Sequence, residues 1–303
     1  MEGIGMLGGP IVEFVWRPHF MDLNHIAELL KPFLSPRVHN ITVTSCADPH
    51  AAESEAKDGS RKKTHPGDAG ASDIDRQSPA ILSSAQLSNI STYIDLLMRW
   101  NLRINLTAIR DPEQIVTRHF GESLFAALHL FPTELASTIP ASAATTRVAP
   151  GLRPGDPDQA TEIAAHHLLD IGSGAGFPAL PMKIWAPQLH LTLVESNQKK
   201  ATFLREVSRT LTLTNINVLN SRAEDLPAAT AHTVTLRAVE SFHAILPIAR
   251  GLSRPGGRLA LLIGESQLKQ TQDLANIKWS YPISIPQSTS RLLLVGTRTN
   301  GYE

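Results

Sequence analysis

Cysteine is almost missing from these 303 residues, Cys46 being the single one. That excludes a disulfide framework and fits a reducing cytoplasm. Aromatic residues make up only 5% of the chain. No apolar run approaches the roughly 18–20 residues of a membrane span. The amino end begins Met-Glu with no basic stretch ahead of an apolar one, so no signal peptide is expected. Net charge is missing as well, 28 basic residues standing against 28 acidic ones. No global field therefore draws the chain to nucleic acid, and any such contact must come from a local patch. No internal repeat is evident. The length suffices to bury a full α/β core and leaves room for a second element.

What is there concentrates between His167 and Pro178, which read His-Leu-Leu-Asp-Ile-Gly-Ser-Gly-Ala-Gly-Phe-Pro. The apolar residues ending on Asp170 read as a buried parallel strand. The alternating Gly172, Gly174 and Gly176 read as a turn where only glycine lets the backbone approach a ligand. A second apolar run, Leu191-Thr192-Leu193-Val194, ends on Glu195. That is the distance at which nucleotide-binding α/β folds place the acid that takes ribose hydroxyls. The spacing predicts an adenosine-containing cofactor at the carboxyl edge of a parallel sheet, the alternative being a tight turn with no ligand. A dinucleotide fingerprint needs glycine three positions after Gly174, where this chain has Phe177. The loop instead reads Asp-x-Gly-x-Gly-x-Gly, as in S-adenosylmethionine-dependent methyltransferases, where no pyrophosphate needs the helix N-terminus.

Residues 1–80 do not read as part of the core. A short apolar patch from Ile11 to Trp16 and a possible helix from Met21 to Phe33 precede a polar run, about Ala47 to Pro79, whose composition predicts disorder. This segment reads as a dispensable extension, with an RNA-contacting arm through Arg61-Lys62-Lys63 as the alternative. A helical region, 81–135, follows. Order begins near Ser83, apolar residues recur at helical spacing from Ile90 to Leu106, and a second helix runs from Pro112 to Leu130 with Asp111 as its cap. Residues 136–165, rich in Ala, Thr, Pro and Gly, read as a flexible loop. The remainder, 166–303, alternates strictly. Strands are expected at about 166–171, 190–195, 215–220, 233–237 and 257–263, and helices at about 177–186, 197–211 and 240–252. Pro255-Gly256-Gly257 reads as the turn into the fifth strand, and segments near 279–285 and 290–297 as an antiparallel pair. The expected fold class is α/β, a Rossmann-like class I methyltransferase with a seven-stranded, mostly parallel sheet and an N-terminal helical region.

Several separated motifs in order carry a more specific resemblance. They are Trp100-Asn101, Ile104 to Thr107, Arg118-His119 with Ser123-Leu124, and the Asp170 to Pro178 loop. Glu195-Ser196 with Lys199-Lys200, Phe203-Leu204, Arg222-Ala223-Glu224 and Arg237-Ala238-Val239 follow. In these the chain resembles the ribosomal RNA small subunit methyltransferase G family, also called the glucose-inhibited division protein B family. Its members methylate nitrogen-7 of a guanine in 16S ribosomal RNA. The resemblance implies S-adenosyl-L-methionine as cofactor, 16S ribosomal RNA or the small subunit as partner, and a cytoplasmic monomer needing neither metal nor membrane. The chain departs from the family pattern at Ala179, usually Gly, and at Glu122, usually Asp. It also departs at Ile263, usually a lysine, so a site- or RNA-facing cation is expected to be missing there.

On that resemblance Asp170, Gly172, Gly174, Phe177, Glu195, Ala223, Glu224 and Arg237 form the cofactor site, and Arg237 is the catalytic residue. Gly172 and Gly174 lie against the methionine part, Phe177 closes over the cofactor, and Glu195 accepts from the ribose diol as an acceptor-only group. Ala223 and Glu224 read the adenine. Arg222, Lys199 and His119 are the candidates for substrate contact, each with a surface or packing role as the alternative; Trp100 is read as helix packing.

Nitrogen-7 of guanine has an exposed lone pair and no proton, so direct displacement needs no general base and gains from alignment and exclusion of water. Carbon-5 methylation would want a cysteine, and Cys46 lies outside the expected core. Exocyclic amine methylation usually shows Asn/Asp-Pro-Pro-aromatic where this chain reads Leu236-Arg237-Ala238-Val239. A nicotinamide oxidoreductase is disfavoured by the glycine spacing. A methyltransferase acting on a small molecule or another RNA, and a non-catalytic RNA-binding protein of the same fold, stay open at this point.

Overall fold

A computed structural model describes residues 21–35, 81–131, 166–239 and 241–299. The expected disorder of the polar run, the basic arm at 61–63, Cys46 and the loop at 136–165 lie outside these residues.

Five parallel strands alternate with helices: β1 (His167–Ile171), β2 (His190–Val194), β3 (Ile216–Leu219), β4 (Ala231–Arg237) and β5 (Ser253–Gly264). Three short or antiparallel strands follow, β6 (Ile277–Trp279), β7 (Ile283–Ser284) and β8 (Arg291–Arg298). The order is β3-β2-β1-β4-β5-β8-β6, with β7 also on β8. The expected single strand near 279–285 is thus two, interrupted at Ser280-Tyr281-Pro282, where proline cannot donate to a ladder. The glycine pair before the fifth strand sits inside β5, at a register shift opposite Ala231 and Thr233, with Gly256 at φ 72°.

Strand side chains alternate between two apolar layers, as period two requires. Leu168, Leu191, Leu193, Ala260 and Leu262 face one layer, and Leu169, Val194, Leu259, Leu261 and Ile263 the other. The first layer is covered by α1 (Leu23–Leu34), α2 (Ser84–Asn101), a π-helical segment (Ile115–Gly121) that follows the short α3 (Pro112–Gln114) and runs into α4 (Glu122–Leu130), α5 (Ala179–Trp185) and α6 (Gln198–Thr210). The second is covered by α7 (Phe242–Leu252), with α8 (Leu268–Gln272) at its edge. Among the described residues no helix is long and apolar enough to cross a membrane.

Local chemistry sets the helix starts. Ser83 and Gln86 form a capping box, Ser83 Oγ accepting from the Gln86 N–H at 3.2 Å and Gln86 Oε1 from the Ser83 N–H at 2.8 Å. Asp111 caps α3 by accepting from the Gln114 N–H at 2.8 Å, with Pro112 in the first turn.

The expectation that residues 1–80 stand apart from the core fails at α1. Ile26, Leu30, Phe33 and Leu34 are buried, each worth about 1.5–3 kcal/mol when removed from water. Phe33 lies so close to Gly121 that a Cβ there would meet its ring at 2.6 Å. One apolar cluster runs from α1 through α2, α4, α5 and α6 to the sheet, so the helical region and the sheet share a core.

Candidate functional site

The sheet order reverses between β1 and β4, and in such folds the crevice beyond the carboxyl ends of those strands takes the ligand. A cavity of about 750 Å³ lies there, within the size range of ligand pockets. Its walls are the glycine turn after β1, the end of β2, the short 3₁₀ turn Ala223–Asp225 and the segment after β4.

The glycine turn has the predicted left-handed backbone, with φ of 67°, 55° and 89° at Gly172, Gly174 and Gly176. Glu195 holds it. The carboxylate, 7% exposed, accepts from the Gly174 N–H through Oε2 and from the Asn197 N–H through Oε1, each at 2.8 Å. It ties the loops after β1 and β2 together while lining the cavity. Ala238 and Ser241, both cavity-lining and neither glycine, also have positive φ, 50° and 53°. Such strain collects where a fold shapes a ligand site.

Asp170 lies beneath the turn, 1% exposed and not among the lining residues. It accepts from Thr235 Oγ1 at 2.7 Å, and its other oxygen is buried without a partner. Burial pushes its pKa up to about 7, against the opposing Thr235 hydrogen bond.

Phe177 is placed otherwise than expected. Its ring, 6% exposed, is sandwiched between Tyr93 (5.4 Å, 5° between planes) and His119 (4.7 Å, 21°), with Phe120 edge-on at 5.1 Å. It lines the cavity as a stacked part of the wall. Tyr93 donates its hydroxyl to the Ala175 carbonyl and so grips the same turn. Trp100 packs against Phe203 of α6 at 5.7 Å, in keeping with the helix-packing reading.

His119 and Arg237 line the cavity together. Arg237 Nη2 shares its two N–H groups among the Arg118 carbonyl (2.7 Å), His119 Nδ1 (3.1 Å) and Glu122 Oε2 (3.0 Å). Since guanidinium only donates, His119 Nδ1 must accept, and its proton sits on Nε2, 2.8 Å from Thr107 Oγ1. Burial, with Arg237, Arg291 and Arg118 nearby, lowers the His119 pKa to about 3. Burial also lowers the Arg237 pKa, with Glu122 opposing it.

Gly172, Gly174, Ala223, Glu224 and Arg222 line the cavity as expected of them. Lys199 does not: it is exposed, and Lys200, one position on, is the lysine that lines the wall. Ile263, 2% exposed, faces the apolar layer under α7, so position 263 is no gap in a ring of site cations. The sequence reading assigned no role to Glu122 or Arg291. An acid inside an apolar helix, four residues after an arginine, was the available signal for Glu122.

A family model described as rRNA small subunit methyltransferase G matches residues 86–136 and 158–289. The ribosomal RNA small subunit methyltransferase G of Xanthomonas euvesicatoria pv. vesicatoria is 39% identical over 185 residues, 60% of this chain and 71% of the relative. That of Chloroflexus aggregans is 35% identical over 233 residues, 72% of this chain and 84% of the relative. Among solved structures, a SAM-dependent methyltransferase from Aquifex aeolicus is 16% identical, with a TM-score of 0.37 over 48% of this chain and 90% of that one.

Proposed function

The chain belongs to the rRNA small subunit methyltransferase G family, and from that premise we propose that its cleft transfers the methyl group of S-adenosyl-L-methionine to nitrogen-7 of a guanine in 16S ribosomal RNA. The observation that carries this reading is the left-handed glycine turn held by Glu195 at the β1/β4 crevice.

The residues present fit that cofactor. Glu195 spends two of its roughly four lone-pair sites on backbone N–H groups and keeps two for a ribose diol. Asp170, buried and bonded to Thr235, supports the turn from beneath. Ala223 and Glu224 offer a backbone amide and a carboxylate to an adenine edge, and Gly172 and Gly174 leave room for a methionine chain. When bound, the cofactor supplies an electrophilic methyl group on a sulfonium.

Guanine nitrogen-7 carries its own lone pair, so the protein's task is alignment and exclusion of water. His119 suits a wall and not a base, because both ring nitrogens are committed and its pKa is about 3. Arg237, engaged with Glu122 and His119, positions that wall. The reading includes an enzyme working in the cytoplasm as a monomer and without a metal, since displacement by a lone pair asks for no Lewis acid.

Tritiated S-adenosyl-L-methionine, incubated with small ribosomal subunits, naked 16S ribosomal RNA and small acceptors, tests the reaction. Label should enter the RNA, and reduction followed by aniline should cut the chain at one guanine. Label without scission would overturn the nitrogen-7 assignment, and label only in small acceptors would overturn the substrate class.

A further inference from the structure

Three guanidinium groups converge on one carboxylate beside the cavity. Glu122 is 1% exposed, and its Oε2 pairs with Arg237 Nη2 and Arg291 Nε at 3.0 Å each, its Oε1 with Arg118 Nε at 3.5 Å. Glu122 is the carboxylate paired with all three, Asp170 also feels Arg237, and His119 is held neutral beside them. The surplus of positive charge favours an approaching anion.

The three arginines are not equivalent. The Arg237 side chain is 9% exposed and occupied with Glu122, His119 and the Arg118 carbonyl. Arg291 is 22% and Arg118 49% exposed. None of their Nη atoms is committed to an acceptor among the described residues. Both therefore present a free N–H fork, with Nε at ion-pair distance from the carboxylate and not hydrogen-bonded to it. Such a fork matches the two oxygens of a phosphodiester. Arg291 pairs with Gly264 at the carboxyl end of β5, the sheet edge on which the cavity opens. Arg118 comes from the π-helical segment, next to the His119 that lines the cavity. Arg291 also lies past residue 289, where the family match ends.

We propose that Arg118 and Arg291 form a phosphodiester clamp that holds the RNA strand next to the target base, with Glu122 as the post that fixes both. This rests on the RNA-methylating reading of the cavity. An unpaired guanine brought to the crevice must be followed by its backbone, and two forks on one rigid carboxylate would set where that backbone lies.

The test uses the full chain and a 16S ribosomal RNA transcript, with binding measured across a series of KCl concentrations. Each phosphate contact contributes about 0.7 (single strand) to 0.9 (duplex) to the slope of log affinity against log salt. Arg118→Gln and Arg291→Gln should each lower the slope by about that much, and together by about twice as much. Each should raise KM for RNA far more than it lowers kcat, with the affinity for S-adenosyl-L-methionine unchanged by calorimetry. Arg291→Lys should restore the slope, since it restores the charge. Arg291 has a part in the buried ion pair, so melting temperatures are compared; should Arg291→Gln fold poorly, the half-exposed Arg118 decides alone. A wild-type slope and KM in Arg118→Gln overturn the clamp. Binding needs no turnover, so a wild-type enzyme that methylates no guanine would overturn the reaction and still leave the slope to judge the clamp.

Discussion

Replacing Glu195 by glutamine probes the point where fold and cofactor meet. The carboxylate accepts two backbone N–H groups at 2.8 Å. Glutamine keeps one oxygen and turns an NH₂ donor toward the other N–H. One charge-assisted bond, worth about 1.5–3 kcal/mol, is lost, and the surviving bond becomes neutral and roughly half as strong. Stability without cofactor should fall by about 2–4 kcal/mol. One of the two ribose bonds is lost as well. At about 1.5–3 kcal/mol this raises Kd roughly 10- to 150-fold. Calorimetric titration of S-adenosyl-L-methionine reads the second effect, and urea denaturation of the cofactor-free protein reads the first. A folded variant whose Kd stays within about twofold of wild type removes Glu195 from the cofactor site. An unchanged urea midpoint with unchanged slope shows that the two backbone bonds hold nothing.

Glu122→Gln leaves three guanidinium groups without their carboxylate, and breaking such a buried arrangement costs about 3–5 kcal/mol. For a fold of this size that is roughly 6–20 °C in melting temperature, read by differential scanning fluorimetry; a shift under about 3 °C refutes it. Phe33→Ala should cost about 3–5 kcal/mol in urea denaturation, and a chain starting at Ser83 should melt lower than the full one, because α1 covers Gly121 and its neighbours. An equal midpoint would show that α1 is idle. Stability should also rise with pH between about 4 and 6. His119 and His166 have folded pKa values of about 3, below the unfolded 6.5, so unfolding takes up two protons in that window. Asp170, raised from 3.8 to about 7, gives back one. Solvent screening at the partly exposed His166 reduces the net uptake to at most one proton, so the rise is at most about 1.4 kcal/mol per pH unit, and a falling profile over that range contradicts it.

The strand, glycine turn and acid were legible because each is a local pattern: period-two burial, positive φ and a fixed chain separation. Elsewhere the deciding partner was remote. The Met21 to Phe33 segment read as a possible helix, but its burial depends on Gly121, which no local rule connects to Phe33. Lys199 and Lys200 differ by roughly 100° of helix rotation, and only the seating of α6 decides which meets the cavity. Arg291 became a neighbour of Glu122 only because β8 pairs antiparallel with β5. Ile263 was read by its chain position as a lost cation, whereas strand alternation turns it away from the crevice. Phe177 was rightly put beside the turn, but the rings that clasp it come from α2 and the π-helical segment.

That clasp makes the two ligands of this protein mutually informed. Tyr93, Phe177 and His119 are stacked in one file whose far end leans on Arg237 and Glu122. On the RNA side that file ends at Arg237, whose guanidinium meets the imidazole of His119, and on the cofactor side at the ring that walls the glycine turn. Reciprocity then holds for the binding free energies: whatever occupancy of the turn does to the affinity for RNA, RNA must do in equal measure to the affinity for the cofactor.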